Sequence, residues 1–272
     1  VIMTFQPMIP FSGYSGWAFL SRTLEQQQET FEKGSLVSRQ VKNFTERIES
    51  VLTAEQLVND RQLLEVALGA FGLEEDINSK AFIQQVLESN TLEPSSLANR
   101  LSDKRYLEFT KAFGFGDFDI PRTQLSDFAG EITSGFLEKE FEIAVGNQDA
   151  NMRLALGAAR DLEALSERSI SDTAKWFSMM GNAPLRQVFD TAFGMPASFA
   201  ALDLDKQLDT FQDRAQREYG ATTIEQFNDP ELRETLIRNF LIRSEAQSFN
   251  AKSTANQTAL TLLQSSTPSR FR

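Results

Sequence analysis

The chain has 272 residues, with 27 Lys and Arg against 38 Asp and Glu, a formal charge of −11, and neither Cys nor His. The two absences exclude a disulfide framework, a thiolate nucleophile, a zinc finger, a Ser-His-Asp triad and an imidazole metal site. The acidic balance without a Lys/Arg cluster excludes general nucleic-acid binding, and no apolar run approaches the ~20 residues of a membrane span.

Residues 1–17 carry Pro7, Pro10, Gly13 and Gly16 among scattered aromatics, the texture of an extended arm that packs through Phe5, Phe11, Tyr14 and Trp17. This opening has no charged n-region and no continuous apolar h-region. The expectation is a cytoplasmic protein, or one exported without a cleavable signal. From Ala18 the texture is helical, with Leu20, Leu24 and Phe31 along one face. Gly34 interrupts before a second stripe of Leu36, Val41, Phe44 and Ile48.

Capping signals mark later starts. Thr53-Ala-Glu-Gln56 and Thr222-Thr-Ile-Glu225 read as capping boxes, and Asp229-Pro230-Glu231 places an acceptor at the N-cap and Pro in the first turn. Leu125, Phe128, Ala129, Ile132 and Phe136, continued by Phe141 and Ala144, form one stripe of helical period. Leu204, Leu208, Phe211, Ala215 and Tyr219 form another. No segment alternates as a strand, and no Asn-Gly or Asp-Gly hairpin occurs. These signals predict an all-α, multi-helix bundle of roughly ten helices. Phe, used 23 times against 2 Trp and 3 Tyr, suits its core because it needs no hydrogen-bond partner.

Ala-Phe-Gly-apolar occurs at Ala70–Leu73, Ala112–Phe115 and Ala192–Met195, with Ala67, Phe109 and Phe189 four residues before the Phe. Each reads as a helix stop with Gly in the left-handed position and the Phe buried. A degenerate helical repeat and chance recurrence of stops both fit this pattern. The tail is charge-poor: from Asn250 to Ser269 only Lys252 is charged, and Ala251, Ala255, Ala259, Leu262 and Leu263 share one side of a helix. The expected organisation is an arm at 1–17, a helical domain at 18–249 and a polar tail at 250–272.

Few groups carry chemistry. Asp203 with Asp205, and Glu74-Glu75-Asp76, precede helices and read as caps rather than metal ligands. Asp60-Arg61 and Asp103 with Arg105 open helices that lead to Ala-Phe-Gly stops, as local ion pairs or as sites for a peptide carboxylate. Gly114-Phe115-Gly116 and Gly13–Gly16 lack the strand-before, helix-after context of a phosphate loop, and Met179-Met180 reads as core. No cofactor or metal is expected, and no nucleophile, base and oxyanion donor combine. The candidate interaction residues are Phe11, Tyr14, Trp17, Asp60, Arg61, Asp103, Arg105, Leu262 and Leu263.

Leu63–Leu73, Lys80–Leu87, Leu97–Tyr106, Ala112–Phe115 and Leu202–Leu208, together with Pro10–Leu20, resemble a bacterial domain-of-unknown-function family encoded among flagellar genes. The resemblance implies a helical fold and, through gene neighbourhood, a link to flagellar assembly or motility. It supplies no catalytic residue. The expected function is a non-enzymatic structural or interaction protein whose partners are flagellar components or further copies of itself. The alternative is a cytoplasmic helical regulator or ligand-binding protein.

Overall fold

The structure, a computed structural model, describes residues 5–265, with the backbone alone from 250 onward. Among the described residues there are thirteen α-helices and no strand, so the protein is all-α. The count exceeds the expected ten because short helices such as α3 (Ala54–Asn59) and α6 (Leu97–Arg100) punctuate the chain, and single residues divide neighbouring helices. Helix α1 spans Gly13–Glu32, so extended chain gives way to helix inside the segment that reads as an arm.

Helix starts follow local side-chain chemistry. Thr53 Oγ1 accepts the Gln56 N–H at 3.2 Å and Gln56 Oε1 accepts the Thr53 N–H at 3.3 Å, a capping box on α3. Asp60 Oδ1 accepts the N–H groups of Gln62 and Leu63 and caps α4 (Arg61–Ala70). Asp229 accepts the Glu231 N–H at 2.8 Å where α13 (Pro230–Ser265) begins. The box expected at Thr222 does not form: Ile224–Asn228 is a 3-10 turn, and Glu225 turns to Lys175 instead. Asp203 precedes α12 (Leu204–Tyr219) without a capping hydrogen bond and lies 3.4 Å from Lys206.

The three stops form as expected. Gly72, Gly114 and Gly194 have φ of 67°, 68° and 64°. At Gly72 and Gly194 the bonds Leu73 N–H to Leu68 O and Met195 N–H to Asp190 O close Schellman motifs. At Gly114 a single bond to Thr110 O closes the simpler left-handed cap. Phe113 and Phe193 are fully buried, whereas Phe71 is half-buried, its ring edge-on to Phe109 at 5.3 Å. Gly194→Val is expected to lower stability by about 2 kcal/mol in urea titration, because a β-branched residue resists positive φ. Gly130→Ala, whose added Cβ meets nothing within 4 Å, should instead stabilise its helix by up to ~1 kcal/mol.

Two compact units emerge. The first holds the chain up to Pro10, Ala18–Arg153 and Met180–Asn182; the second holds Phe11–Trp17, Leu154–Met179 and the chain from Ala183 onward. In the first, α2 (Ser35–Arg47), α4, α7 (Arg105–Phe113) and α8 (Phe128–Gly146) enclose Phe44, Leu64, Leu68, Phe109, Phe113, Phe128 and Phe136. Leu125, expected to open the α8 stripe, is exposed before the helix begins. In the second, Trp176, Phe189, Phe193, Phe211, Phe227 and Tyr219 form one aromatic cluster with ring centroids 5.2–6.4 Å apart.

The order of elements repeats along the chain. Helices α3 and α4 are divided by Asp60 alone; a Phe-Gly stop, a 3-10 turn, further helices, a left-handed Gly114, another 3-10 turn and the long α8 follow. Helices α10 (Asp172–Gly181) and α11 (Ala183–Ala192) are divided by Asn182 alone; a Phe-Gly stop, a 3-10 turn, α12, a left-handed Gly220, another 3-10 turn and the long α13 follow. Helix α4 packs chiefly on α8, and α11 chiefly on α13. Aligned on their Phe-Gly pairs, buried Leu63 and Val66 match buried Leu185 and Val188. The same order of elements thus occurs twice along the chain, with several helices between the two left-handed glycines in the first instance and α12 alone in the second.

Candidate functional site

The candidate residues fall into separate places. In the first unit, Asp60 carries two tasks: it caps α4 and binds the Arg47 guanidinium. Arg61 donates to Asn78 at 3.3 Å. Arg47, Glu55, Asn59, Asp60 and Arg61 are among the residues that line an open groove of ≈ 660 Å³. Asp103 and Arg105 meet in a two-point ion pair at 2.7–3.1 Å, and Arg105 also donates to the carbonyl of Gly72. Burial works against the Asp103 charge, but the hydrogen bonds and charge of Arg105 outweigh it and hold the carboxyl below its ordinary range. This pair thus clamps the end of α4, which leaves little of it free for a ligand.

Beside the clamp, Tyr106 donates to Asp76 at 2.6 Å; burial and that bond push its phenol up to about 12. Burial, with Glu74 and Glu65 nearby, raises the Glu140 carboxyl, and Arg153 opposes the shift. In the folded state the charged form of Glu140 is the disfavoured one. Its burden on stability is absent at low pH and grows as pH rises through the raised folded value. Glu140→Gln is therefore expected to raise the melting temperature at pH 7 and to leave it nearly unchanged at about pH 4. Among the described residues no group of three or more carboxylates is placed to hold a metal ion.

The N-terminal segment is divided between the units. Phe5 stacks edge-on against Phe31 at 5.5 Å and lies 6.2 Å from Phe141, while Gln27 and Gln148 hydrogen-bond the backbone of Met8 and Pro7. In the second unit Trp17 is buried, its indole N–H shared between both Glu234 oxygens at 3.0 and 2.9 Å. Tyr14 lies half-buried under Arg238, 5.6 Å from its ring, and its phenol is raised by burial and then by Glu234. Phe11 is 61% exposed. Of the three, Trp17 is anchored and Phe11 remains available. Leu262 and Leu263 sit on the helical backbone of α13, and their side chains lie outside the described residues.

Two side chains have no sequence forecast. Lys175 is buried, donating to Ser166 O at 2.8 Å and to Glu225 at 2.7 Å. Arg186 reaches Gln207 at 2.5 Å and lies over the rings of Phe199 and Phe211. Both fasten elements of the second unit. Helix α13 extends past the part of it that packs on the unit. Among its described side chains the buried ones, Leu236, Ile237, Phe240, Leu241 and Ser244, end at Ser244, and every side chain from Glu245 to Phe249 is exposed, while the helical backbone runs on to Ser265. No helix among the described residues is long and apolar enough to cross a membrane.

Comparison with known proteins agrees with this helical architecture. The X-ray crystal structure of an Agrobacterium tumefaciens protein is similar over 89% of this chain and 99% of its own, with a TM-score of 0.72 and 26% identity. A search of curated proteins finds no match. Residues 70–232 match the family described as protein of unknown function DUF1217, a span that takes in the clamp at Asp103 and Arg105, the stop at Gly194 and the Lys175–Glu225 pair. The chain belongs to this DUF1217 family.

Proposed function

We propose that this protein is a non-enzymatic interaction protein of the bacterial flagellar system, which joins its partners through the C-terminal part of α13. The observation that carries the reading is the exposure of every side chain from Glu245 to Phe249 on a helix whose backbone continues to Ser265. The repeated architecture supports it: α8 has 19 residues, and the first 19 of α13 end at Ser248, so the following stretch exceeds what the fold uses elsewhere. At a rise of 1.5 Å per residue the excess is about 25 Å of helix. A helix of this length gains stability by covering an apolar side. The flagellar context rests on the family resemblance in the sequence, and the absence of His and Cys supports a role in binding.

Deleting residues 250–272 tests this. The expected result is a melting temperature within about two degrees of the full chain, with loss of partner capture and of swimming when the truncated gene replaces the intact one. A drop of many degrees with association and swimming intact would make the segment core packing and refute the proposal.

A further inference from the structure

We infer that residues 5–10 exchange between copies of this chain, each copy's segment seated in the groove that α1, α8 and Gln148 form on the other.

Within the first unit this segment is held as a receptor holds an extended peptide. Burial alternates along it: Phe5 and Ile9 are half-buried and Pro7 is buried, while Gln6, Met8 and Pro10 are exposed. Gln27 Oε1 accepts the Met8 N–H at 2.7 Å, and Gln27 Nε2 donates to the Met8 carbonyl at 3.2 Å. One side-chain amide thus takes both backbone groups of one residue, as a neighbouring strand would. Gln148 Nε2 donates to the Pro7 carbonyl at 2.7 Å. The groove is set from its own side. Gln27 Nε2 also donates to Thr23 Oγ1 at 2.8 Å, Thr23 donates to Phe19 O at 2.9 Å, and Phe31 meets Phe141 edge-on at 5.8 Å where Phe5 is seated. Backbone bonds for affinity and alternate side chains in pockets are how proteins recognise extended segments.

The segment of a second copy carries the same groups and makes the same bonds. Only the connection to α1 and the cost of association separate the two arrangements. That connection is drawn out. Gln27 lies fourteen residues beyond Gly13, the first residue of α1, which is ~21 Å of helical rise. Met8 lies five residues before Gly13, and five residues reach at most ~18 Å when fully extended, so the Gln27 side chain spans the remainder. Phe5 beside Phe31 repeats the match, with eight extended residues set against a rise of ~27 Å. A short connection near its limit favours exchange, because the segment of a second copy reaches the groove without it. Charge does not oppose the step: no charged residue precedes Arg22, so the segment adds nothing to the repulsion between two chains of formal charge −11.

Sedimentation velocity on the full chain, from low micromolar to several hundred micromolar, tests the exchange. The expected result is a concentration-dependent shift from monomer to dimer. Phe5→Asp should abolish the shift, and four residues, Gly-Ser-Gly-Ser, inserted between Pro10 and Phe11 should weaken it roughly ten-fold or more with the melting temperature unchanged. The double variant Gln27→Ala with Gln148→Ala frees a sound segment, and Phe5→Asp leaves a sound groove empty. Mixed, the two should form a 1:1 complex at concentrations where each alone is monomeric. A full chain that stays monomeric throughout, a mixture that forms no complex, or a dimer that survives Phe5→Asp or ignores the insertion overturns the proposal.

Discussion

Phe189→Ala should lower the stability of the second unit by about 4 kcal/mol, the largest effect expected of any single substitution here. Phe189 is fully buried, with its ring edge-on to Trp176 at 5.9 Å, Phe193 at 5.4 Å and Phe227 at 5.5 Å. Truncation removes a ring from the centre of a cluster whose members are braced against one another, so the cavity collapses only in part. The lost edge-to-face pairs add roughly 0.5–1.5 kcal/mol each beyond area burial, though not additively. Both tryptophans, Trp17 and Trp176, belong to this unit, so their fluorescence in a urea titration reports on it directly. Phe189→Leu, which keeps most of the volume, should cost less than half as much. A Phe189→Ala variant within about 1 kcal/mol of the parent would show that the cluster is not a cooperative core.

What the sequence discloses about this fold is what depends on neighbours in the chain. The stops at Gly72, Gly114 and Gly194 are readable because positive φ after a helix is a local demand that Gly meets. Thr53 and Asp60 are readable as caps for the same reason. The Thr222 box fails where a distant partner competes: Glu225 has the right spacing for a cap, but Lys175, fifty positions away, takes its carboxylate. Arg105 is legible as the partner of Asp103 two residues before it, yet its bond to the Gly72 carbonyl joins positions thirty-three apart and leaves no trace in spacing. The two units leave no mark in the sequence because one of their boundaries, at Arg153 and Leu154, falls inside α9 (Ala150–Glu167), where no Pro, Gly or Ser-rich linker marks it. The doubling of the fold is faint in sequence because matched positions carry different side chains. Buried Ala67 corresponds to buried Phe189, and each unit fills the resulting space with its own neighbours.

The same non-local pair gives the second large effect, and its order is the reverse of what burial alone suggests. Lys175 is 2% exposed in its side chain and Glu225 64%, so the usual expectation is that the buried residue matters more. Removing Glu225 leaves an ammonium group enclosed with the Ser166 carbonyl and no counter-charge, whereas removing Lys175 leaves a carboxylate that water already reaches. Glu225→Ala is accordingly expected to cost about 2–3 kcal/mol, and Lys175→Met about 1 kcal/mol or less. The pair works within a latch: the Trp176 indole donates to Thr222 O at 2.9 Å and Asp172 accepts the Ile224 N–H at 2.9 Å, so the start of α10 holds the 222–225 segment at three points. An unpaired Lys175 would pull water into this junction and loosen the other two bonds. Hydrogen exchange at the Ile224 amide should therefore speed up in Glu225→Ala more than in Lys175→Met. The double variant, which removes both charges, should recover most of the loss seen in Glu225→Ala. If Glu225→Ala proves no more damaging than Lys175→Met, or the double variant is worse than either single one, the buried ammonium is stabilised by something other than Glu225.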